Sequence, residues 1–336
     1  MKKLTFIQLN DVHFKLANPR GRTDIYHEAI AAKLFEIFEM ARSVNANGIL
    51  IAGDLFDTPN VGNDAIRTLG KILIQSPCPI YTIAGQHDTY GHNPGSLKRT
   101  PYGIFDGLEI IQNVAACSTV FKLTPELNVV ISGRNYDHEA DMSEDYYEPY
   151  PFLLPDGDFI IIHLSHGTVL TERPIYDRYT LVSDIKTSAD VLCVGDYHTG
   201  IGVQRINNEK KTIVVNPGAL ARVKATEEEI NRNVMVSLIE IDEDRNIRVE
   251  LVTIQSALPG EKVLSREHIE AEVAKNEMMD EFISMLASEG DFKLLTEEEL
   301  VEDVSIRENI PVDVKLETLR RIAVAREELG VGQVVK

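Results

Sequence analysis

Read along the chain, unbroken apolar runs alternate with stretches of helical spacing. Residues 4–10 (LTFIQLN) read as a strand, and residues 24–45 place Ile30, Leu34, Ile37, Phe38 and Ala41 on one helical face. Residues 48–54 (GILIAGD) form an apolar run that closes on an acid. Residues 63–75 read as a second helix, and 79–88 (PIYTIAGQHD) as another run that closes on polar residues. The pattern returns at 127–135, 158–166 and 190–198. Apolar runs of this length, separated by helices, predict strands buried on both faces. The expected fold is an α/β sandwich of two sheets flanked by helices, in α/β/β/α order. Residues 212–220, and the pair within 234–254 turning at Glu243–Asn246, extend it with antiparallel strands.

Near residue 256 the composition shifts. From 261 onward the chain is acidic and helical, carrying roughly half of the net negative charge. This predicts one large domain over 1–256 and a smaller, mostly helical region over 257–336 that caps the first or binds a partner. Residues 266–288 and 313–329 have amphipathic spacing. The second carries Val314, Leu316, Leu319, Ile322, Ala323 and Val324, which predicts packing on the chain's own core, with a partner-binding face as the alternative.

Composition narrows the function. No apolar run approaches the roughly 20 residues that span a bilayer. The N-terminal MKKLTFIQLNDVH reads as a first strand and not a secretory leader, because Gln8, Asn10 and Asp11 interrupt its short apolar stretch. Three widely spaced cysteines, Cys78, Cys117 and Cys193, argue for a reducing compartment and are expected as small buried hydrophobes. A cytoplasmic setting follows as an expectation. The net charge of −19 opposes a basic nucleic-acid-gripping surface, so DNA chemistry would need positive charge from metals or a partner.

The candidate chemistry lies where the apolar runs stop. Asp11 and His13 follow the first, Asp54 the second, and Gln86, His87 and Asp88 the third; His163 and His166 end another, and Asp196 and His198 a later one. Ligands gather at the carboxyl ends of strands in open α/β sheets. Any one of these motifs occurs by chance, and Asp57-Thr58-Pro59 reads as turn or cap chemistry. Their conjunction predicts a centre for two divalent cations, with Asp54 as the shared carboxylate. Imidazole and carboxylate donors suit manganese, iron or zinc better than calcium. No Walker-type glycine loop and no G-x-S-x-G elbow is present.

The order Asp11-Val12-His13, Gly53-Asp54-Leu55-Phe56-Asp57, Gly85-Gln86-His87-Asp88, His166, Gly195-Asp196-Tyr197-His198 resembles the calcineurin-like metallophosphoesterases over about two-thirds of the chain. Within that superfamily the sequence is most similar to SbcD-type DNA repair nucleases, by its GDLFD motif, its length, and Asn216-Pro217-Gly218-Ala219-Leu220 followed by Arg222. The resemblance implies that Asp11, His13 and His198 hold one metal, that Asp54 bridges, and that Gln86, His166 and Asp196 hold a second. It implies that His87 contacts the scissile phosphate or protonates the leaving group, with Asp88 orienting its ring. His163 competes with His166, which the HGTVLTERP context favours. Tyr90 and His92 read as solvated loop residues near the site. Two positions depart from the family: Gln86 replaces an Asn and Asp196 a His, both on the second metal. That makes the site harder and more negative, favouring manganese or magnesium, with iron as a further candidate; the opposing reading is a weakened second site.

Three functions follow. The first is a manganese-dependent exo- or endodeoxyribonuclease for DNA repair and recombination, a homodimer working with an SbcC-like SMC-type ATPase in a bacterial or phage-infected cell. The second is a phosphatase or phosphodiesterase acting on phosphoproteins or small phosphate esters. The third is a scaffold with a degraded second site.

Overall fold

The computed structural model describes residues 2–151, 158–175, 177–267, 278–279 and 297–328. It separates into two compact units, residues 1–265 and 266–336. The first unit therefore runs past the compositional shift at 256: the Thr23 N–H donates to the Val263 carbonyl at 3.1 Å and the Ser265 N–H to the Gly21 carbonyl at 2.8 Å.

In chain order the strands are β1 (Lys3–Leu9), β2 (Gly48–Ala52), β3 (Ile80–Ile83), β4 (Gln112–Asn113), β5 (Thr119–Lys122), β6 (Asn128–Gly133) and β7 (Phe159–Gly167). They continue with β8 (Val169–Leu170), β9 (Thr180–Leu181), β10 (Val191–Asp196), β11 (Gly202–Arg205), β12 (Ile213–Asn216), β13 (Met235–Asp242) and β14 (Ile247–Thr253). Two six-stranded sheets result, ordered β14-β13-β1-β2-β3-β4 and β11-β12-β10-β7-β6-β5. The central strands of each run parallel, and β13, β14, β5 and β11 are antiparallel additions. The expected turn closes β13 onto β14, with Asp242 Oδ1 accepting from the Asp244 and Asn246 N–H groups, both at 2.9 Å.

Strand alternation sorts the apolar residues into layers. Phe6, Leu50, Tyr81 and Ile83 of the first sheet meet Val129, Ile131, Ile162, Leu164 and Cys193 of the second. The opposite face of the first sheet, including Ile7, Leu9, Ile49 and Ile51, packs under helices α1 (Tyr26–Ser43), α2 (Asn63–Leu73) and α3 (Pro101–Gly107). Helix α1 buries the predicted face, Ile30, Leu34, Ile37, Phe38 and Ala41. It stops at a Schellman turn: Asn45 takes φ 50°, the Ala46 N–H reaches the Ala41 carbonyl at 2.8 Å, and the Asn45 N–H reaches that of Arg42 at 3.2 Å. Tyr136, Tyr146 and Tyr147 cover the outer face of the second sheet with Leu192, Val194 and Val214.

Cysteine placement corrects one expectation. Cys193 is buried between the sheets, whereas Cys78 is half-buried and Cys117 exposed. In the second unit, helices Glu297–Arg307 and Val312–Glu328 pack through Val301 and Val304 against Leu319 and Ile322. Val314 is buried; Leu316 and Val324 face solvent. The helix expected over 266–288 lies outside the described residues except at 266–267 and 278–279. No helix among the described residues is long and apolar enough to cross a membrane.

Candidate metal centre

Five strands deliver their carboxyl ends to one place. After β1 the chain turns through Asp11 and His13, whose N–H groups donate to the Gly53 and Asp54 carbonyls at 3.3 and 3.0 Å. Asp54 follows β2, Gln86–Asp88 form a 3-10 turn after β3, His166 ends β7, and Asp196 ends β10 with His198 two residues on. Asp11, His13, Asp54 and Asp196 all take positive φ, at 49°, 45°, 51° and 85°. This conformation is unfavourable for residues with a Cβ and clusters at functional sites, where surrounding contacts enforce it. Two glycines make the crowding feasible. A Cβ at Gly85 would lie 2.1 Å from Asp54 Oδ1, and one at Gly195 would lie 2.0 Å from the Ala52 carbonyl oxygen.

The side chains converge tightly. His13 Nε2 and His198 Nε2 stand 3.0 Å apart. His166 Nε2 lies 3.3 Å from Asp54 Oδ2 and 3.8 Å from Asp196 Oδ1, and His13 Nε2 lies 3.6 Å from Asp54 Oδ2. Donor atoms fall within 4.8 Å of one another in three overlapping sets: Asp11, His13 and His198; Asp11, Asp54 and His166; His13, Asp54 and His87. Among the described residues, buried Asp54 Oδ2, His166 Nε2, His13 Nδ1 and Gln86 Oε1 have no hydrogen-bond partner. Buried polar atoms are nearly always satisfied, so the adjacent orphans Asp54 Oδ2 and His166 Nε2, 3.3 Å apart, mark where a cation belongs. Carboxylate, imidazole and amide donors fit divalent ions of the manganese, iron or zinc type.

The electrostatics agree. Burial raises the Asp11 carboxyl well above its ordinary range, and the neighbouring Asp54 and Asp196 add to it, against a lowering by His166. Burial also acts on Asp54, but His166, His13 and His87 outweigh it and hold that carboxyl ionised. Burial lowers His13 and His198, keeping their lone pairs free. His166 is raised, since Asp54, Asp11 and Asp196 overcome its burial.

Second contacts fix the orientation of these donors. The His166 Nδ1–H donates to the Ala52 carbonyl at 2.6 Å, which leaves Nε2 turned to the cluster. Gln86 Nε2 donates to Asp196 Oδ1 at 2.5 Å, and the Thr168 hydroxyl donates to Asp196 Oδ2. The two residues that depart from the family pattern are therefore bonded to each other.

Other expectations need correction. Among the described residues, the Asp88 carboxylate makes no hydrogen bond to the His87 ring. The buried carboxylate accepts from the Leu55, Phe56 and Gly85 N–H groups at 3.2, 3.0 and 3.0 Å, tying the two motif loops together. The ring is oriented by the Asp57 carbonyl, 2.8 Å from Nδ1. Asp57, expected as turn chemistry, is a site neighbour: its carboxylate takes Lys15 Nζ at 2.9 Å and lies 3.7 Å from His13 Nδ1. His163 lies away from the donor cluster, with Nδ1 2.9 Å from the Ser132 hydroxyl and burial pushing its pKa down to about 3. Tyr90 is held by the Pro59 carbonyl at 3.2 Å, and the exposed His92 meets the Tyr136 ring edge-on at 5.9 Å.

A cleft of about 960 Å³ opens over Gln86, His87, Asp196 and His198. Among the described residues its ionisable walls beyond these are Glu172, Glu228 and Glu229 against Lys224.

Solved structures similar to the chain include two nucleotidases and a phosphatase. A candidate 5′-nucleotidase from Staphylococcus aureus aligns at 15% identity and TM-score 0.47, covering 75% of this chain and 54% of that one. A 5′-nucleotidase precursor from Thermus thermophilus aligns at 16% and 0.43, covering 76% and 56%. A dimetal phosphatase from Danio rerio aligns at 14% and 0.43, covering 76% and 100%. The chain spans about half the length of the two nucleotidases. No curated protein sequence matches it. Residues 4–200, more than half of the chain and the span from β1 through His198, match the model of one family, and the chain belongs to it: the calcineurin-like phosphoesterases.

Proposed function

We propose that this chain is a metal-dependent phosphoesterase that, by itself, hydrolyses small phosphate esters. The convergence of Asp11, His13, Asp54, His166 and His198, with Asp54 Oδ2 and His166 Nε2 unpaired among the described residues, carries the reading. When bound, divalent cations supply charge to the phosphoryl oxygens and acidify a water. The residues do the rest. Asp11 and Asp54 set the negative potential that holds cations, and Asp196 is held in place by Gln86 and Thr168. His87 is the exposed imidazole of the site, with Nε2 4.0 Å from Asp54 Oδ2. The Asp57 carbonyl accepts its Nδ1–H, which turns Nε2 toward the site as the atom that would exchange a proton with a leaving oxygen. The acidic cleft walls favour a compact substrate over a duplex, whose phosphates need cationic contacts.

The second reading is the DNA nuclease, an SbcD-like subunit of a homodimeric assembly with an SMC-type ATPase that supplies the missing positive charge. The segment from Asn216 to Leu220 supports it. Asn216 bonds Asn10 at 3.0 Å and the Tyr197 carbonyl at 3.0 Å, and the Ala219 N–H donates to the His198 carbonyl at 2.9 Å, so this family-like motif is part of the centre's frame.

Purified chain is assayed on p-nitrophenyl phosphate, its bis-ester and labelled DNA, with manganese and with Asp54→Asn as control. Metal-dependent ester turnover lost in Asp54→Asn is expected. DNA cleavage by the isolated chain at physiological salt, exceeding ester turnover, would reverse the order of the two readings; no turnover of any substrate sinks both.

A further inference from the structure

Outside the metal centre, the first unit buries a cluster of cations. Lys33 and Arg222 are 2% and 3% exposed. Lys33 Nζ donates to the Leu220 carbonyl at 2.5 Å. Arg222 gives its two Nη groups to the Leu258 and Arg232 carbonyls at 2.7 and 2.6 Å, and its Nε has no acceptor among the described residues. Neither forms an ion pair among the described residues. The neighbouring cations are matched: Arg22 forks onto Asp24 at 2.7 and 2.6 Å, and Arg232 onto Glu229 at 3.0 and 2.9 Å. Setting the matched pairs aside leaves Lys33 and Arg222, whose direct hydrogen bonds among the described residues go to carbonyl oxygens. Buried charge is ordinarily paired or neutralised.

A cavity of about 370 Å³ adjoins these groups. Arg22, Lys33 and Arg222 line it, with Ala29 and Ala32 of α1 on one wall and Ala257 and Leu258 on another. Asp24, already engaged by Arg22, and the exposed Glu28 also reach it. Burial, with Arg22, Arg232 and Arg222 close by, pushes Lys33 well below the ordinary lysine range. Burial and Arg232 bring Arg222 down to about 10. In both cases burial and the neighbouring cations outweigh the opposing carboxylates, Asp24 for Lys33 and Glu229 and Asp24 for Arg222.

We propose that this cavity binds a small oxyanion of the phosphate class, with Lys33 and Arg222 as its counter-charges. Two donors of the Lys33 ammonium remain beyond its one acceptor, and guanidinium suits tetrahedral oxyanions. The volume exceeds a bare phosphate and accommodates a phosphate carrying a small organic group. The site is tied to the metal centre. The Leu220 N–H donates to the Asn10 carbonyl at 2.8 Å and the Ala221 N–H to that of Asp11 at 3.2 Å. Tyr26, beneath Arg22, donates its hydroxyl to the His13 carbonyl at 2.9 Å.

The test uses the full chain carrying Asp54→Asn and treated with EDTA, so that phosphate cannot bind through metals. Calorimetric titration with inorganic phosphate is expected to give one site per chain, and saturating phosphate a melting-temperature rise of about 2–4 °C. Lys33→Met and Arg222→Gln should each weaken binding at least about tenfold. Ala29→Glu, which builds a carboxylate into the cavity, should abolish binding with an unchanged circular dichroism spectrum, and it decides the matter if the charge-removal variants fail to fold. A parallel titration with ribose 5-phosphate separates the ligand sources: tighter binding of the ester identifies an organic phosphate, equal or weaker binding the free ion. Absence of phosphate binding in the metal-free protein, or binding unaltered by the cavity variants, overturns the proposal.

Discussion

His166 donates its Nδ1 proton to the carbonyl oxygen of Ala52 across 2.6 Å, and that one bond decides which nitrogen faces the carboxylates. A carbonyl can only accept, so Nδ1 holds a proton and Nε2 is the nitrogen turned to Asp54. Three residues earlier on the same strand, His163 bonds Ser132 apart from the cluster. Replacing His166 with Ala is expected to lower phosphoester turnover about 100-fold or more, while His163→Gln leaves it within about threefold. Steady-state kinetics on p-nitrophenyl phosphate, with circular dichroism to confirm folding, separates the two.

Metal removal should act on stability as well as activity. The centre places Asp11, Asp54 and Asp196 together, and burial with the two neighbouring carboxylates raises the Asp11 carboxyl. Chelation is expected to abolish turnover and to lower the melting temperature. Readdition of a divalent ion at about 100 times its dissociation constant should restore about 2.7 kcal/mol, seen as a rise of roughly 5–10 °C. Asp54→Asn should show neither response; a melting temperature insensitive to metal in the native chain would contradict the cation reading.

Gln86 and Asp196 form one unit through their 2.5 Å hydrogen bond. Asp196→His exchanges a hard anionic oxygen for an imidazole and should shift the ratio of zinc-supported to manganese-supported activity upward by about tenfold. Gln86→Asn shortens the arm and breaks the bond. Rates for both single variants and the double variant should depart from additivity by at least about 0.5 kcal/mol in transition-state energy. Strict additivity would mean that the pair acts independently.

His163 predicts an acid limb in the stability profile. Its folded pKa is about 3 against an ordinary value of 6.5, so between these the unfolded chain binds the extra proton. Its contribution is therefore fully present above about 6.5 and is lost as pH falls toward 3, with a slope of up to about 1.4 kcal/mol per pH unit. Urea unfolding of His163→Gln, whose amide can still meet Ser132, should show a flatter profile over that window than the native chain.

Much of this fold is written in residue order because β2, β3, β7 and β10 are buried on both faces, and such strands leave uninterrupted apolar runs. The acids and imidazoles that end them stand out against those runs. Strands β5 and β11 are less legible: each alternates half-buried with exposed residues over four positions, as short edge strands do. Helix α3 opens at Thr100-Pro101, a cap that resembles any loop. At the site, Asp57 was hidden because Asp-Thr-Pro carries genuine turn chemistry, and its carbonyl, the part that holds His87, has no sequence signature. The role of Asp88 rests on the family resemblance alone, and the 3-10 turn sends its carboxylate back toward Leu55 and Phe56. The bond from Gln86 to Asp196 spans 110 residues and needed the sheets to be assembled.

The positive φ angles at Asp11, His13, Asp54 and Asp196 have a consequence for how this chain can be altered. Each costs of order 1–3 kcal/mol in an isolated peptide, and glycine would relieve it. A search for hardier variants by heat alone would therefore drift toward glycine at these four positions and emerge with a sturdier protein that has lost its cations. Selection for endurance and selection for catalysis pull against each other at the same four backbone angles.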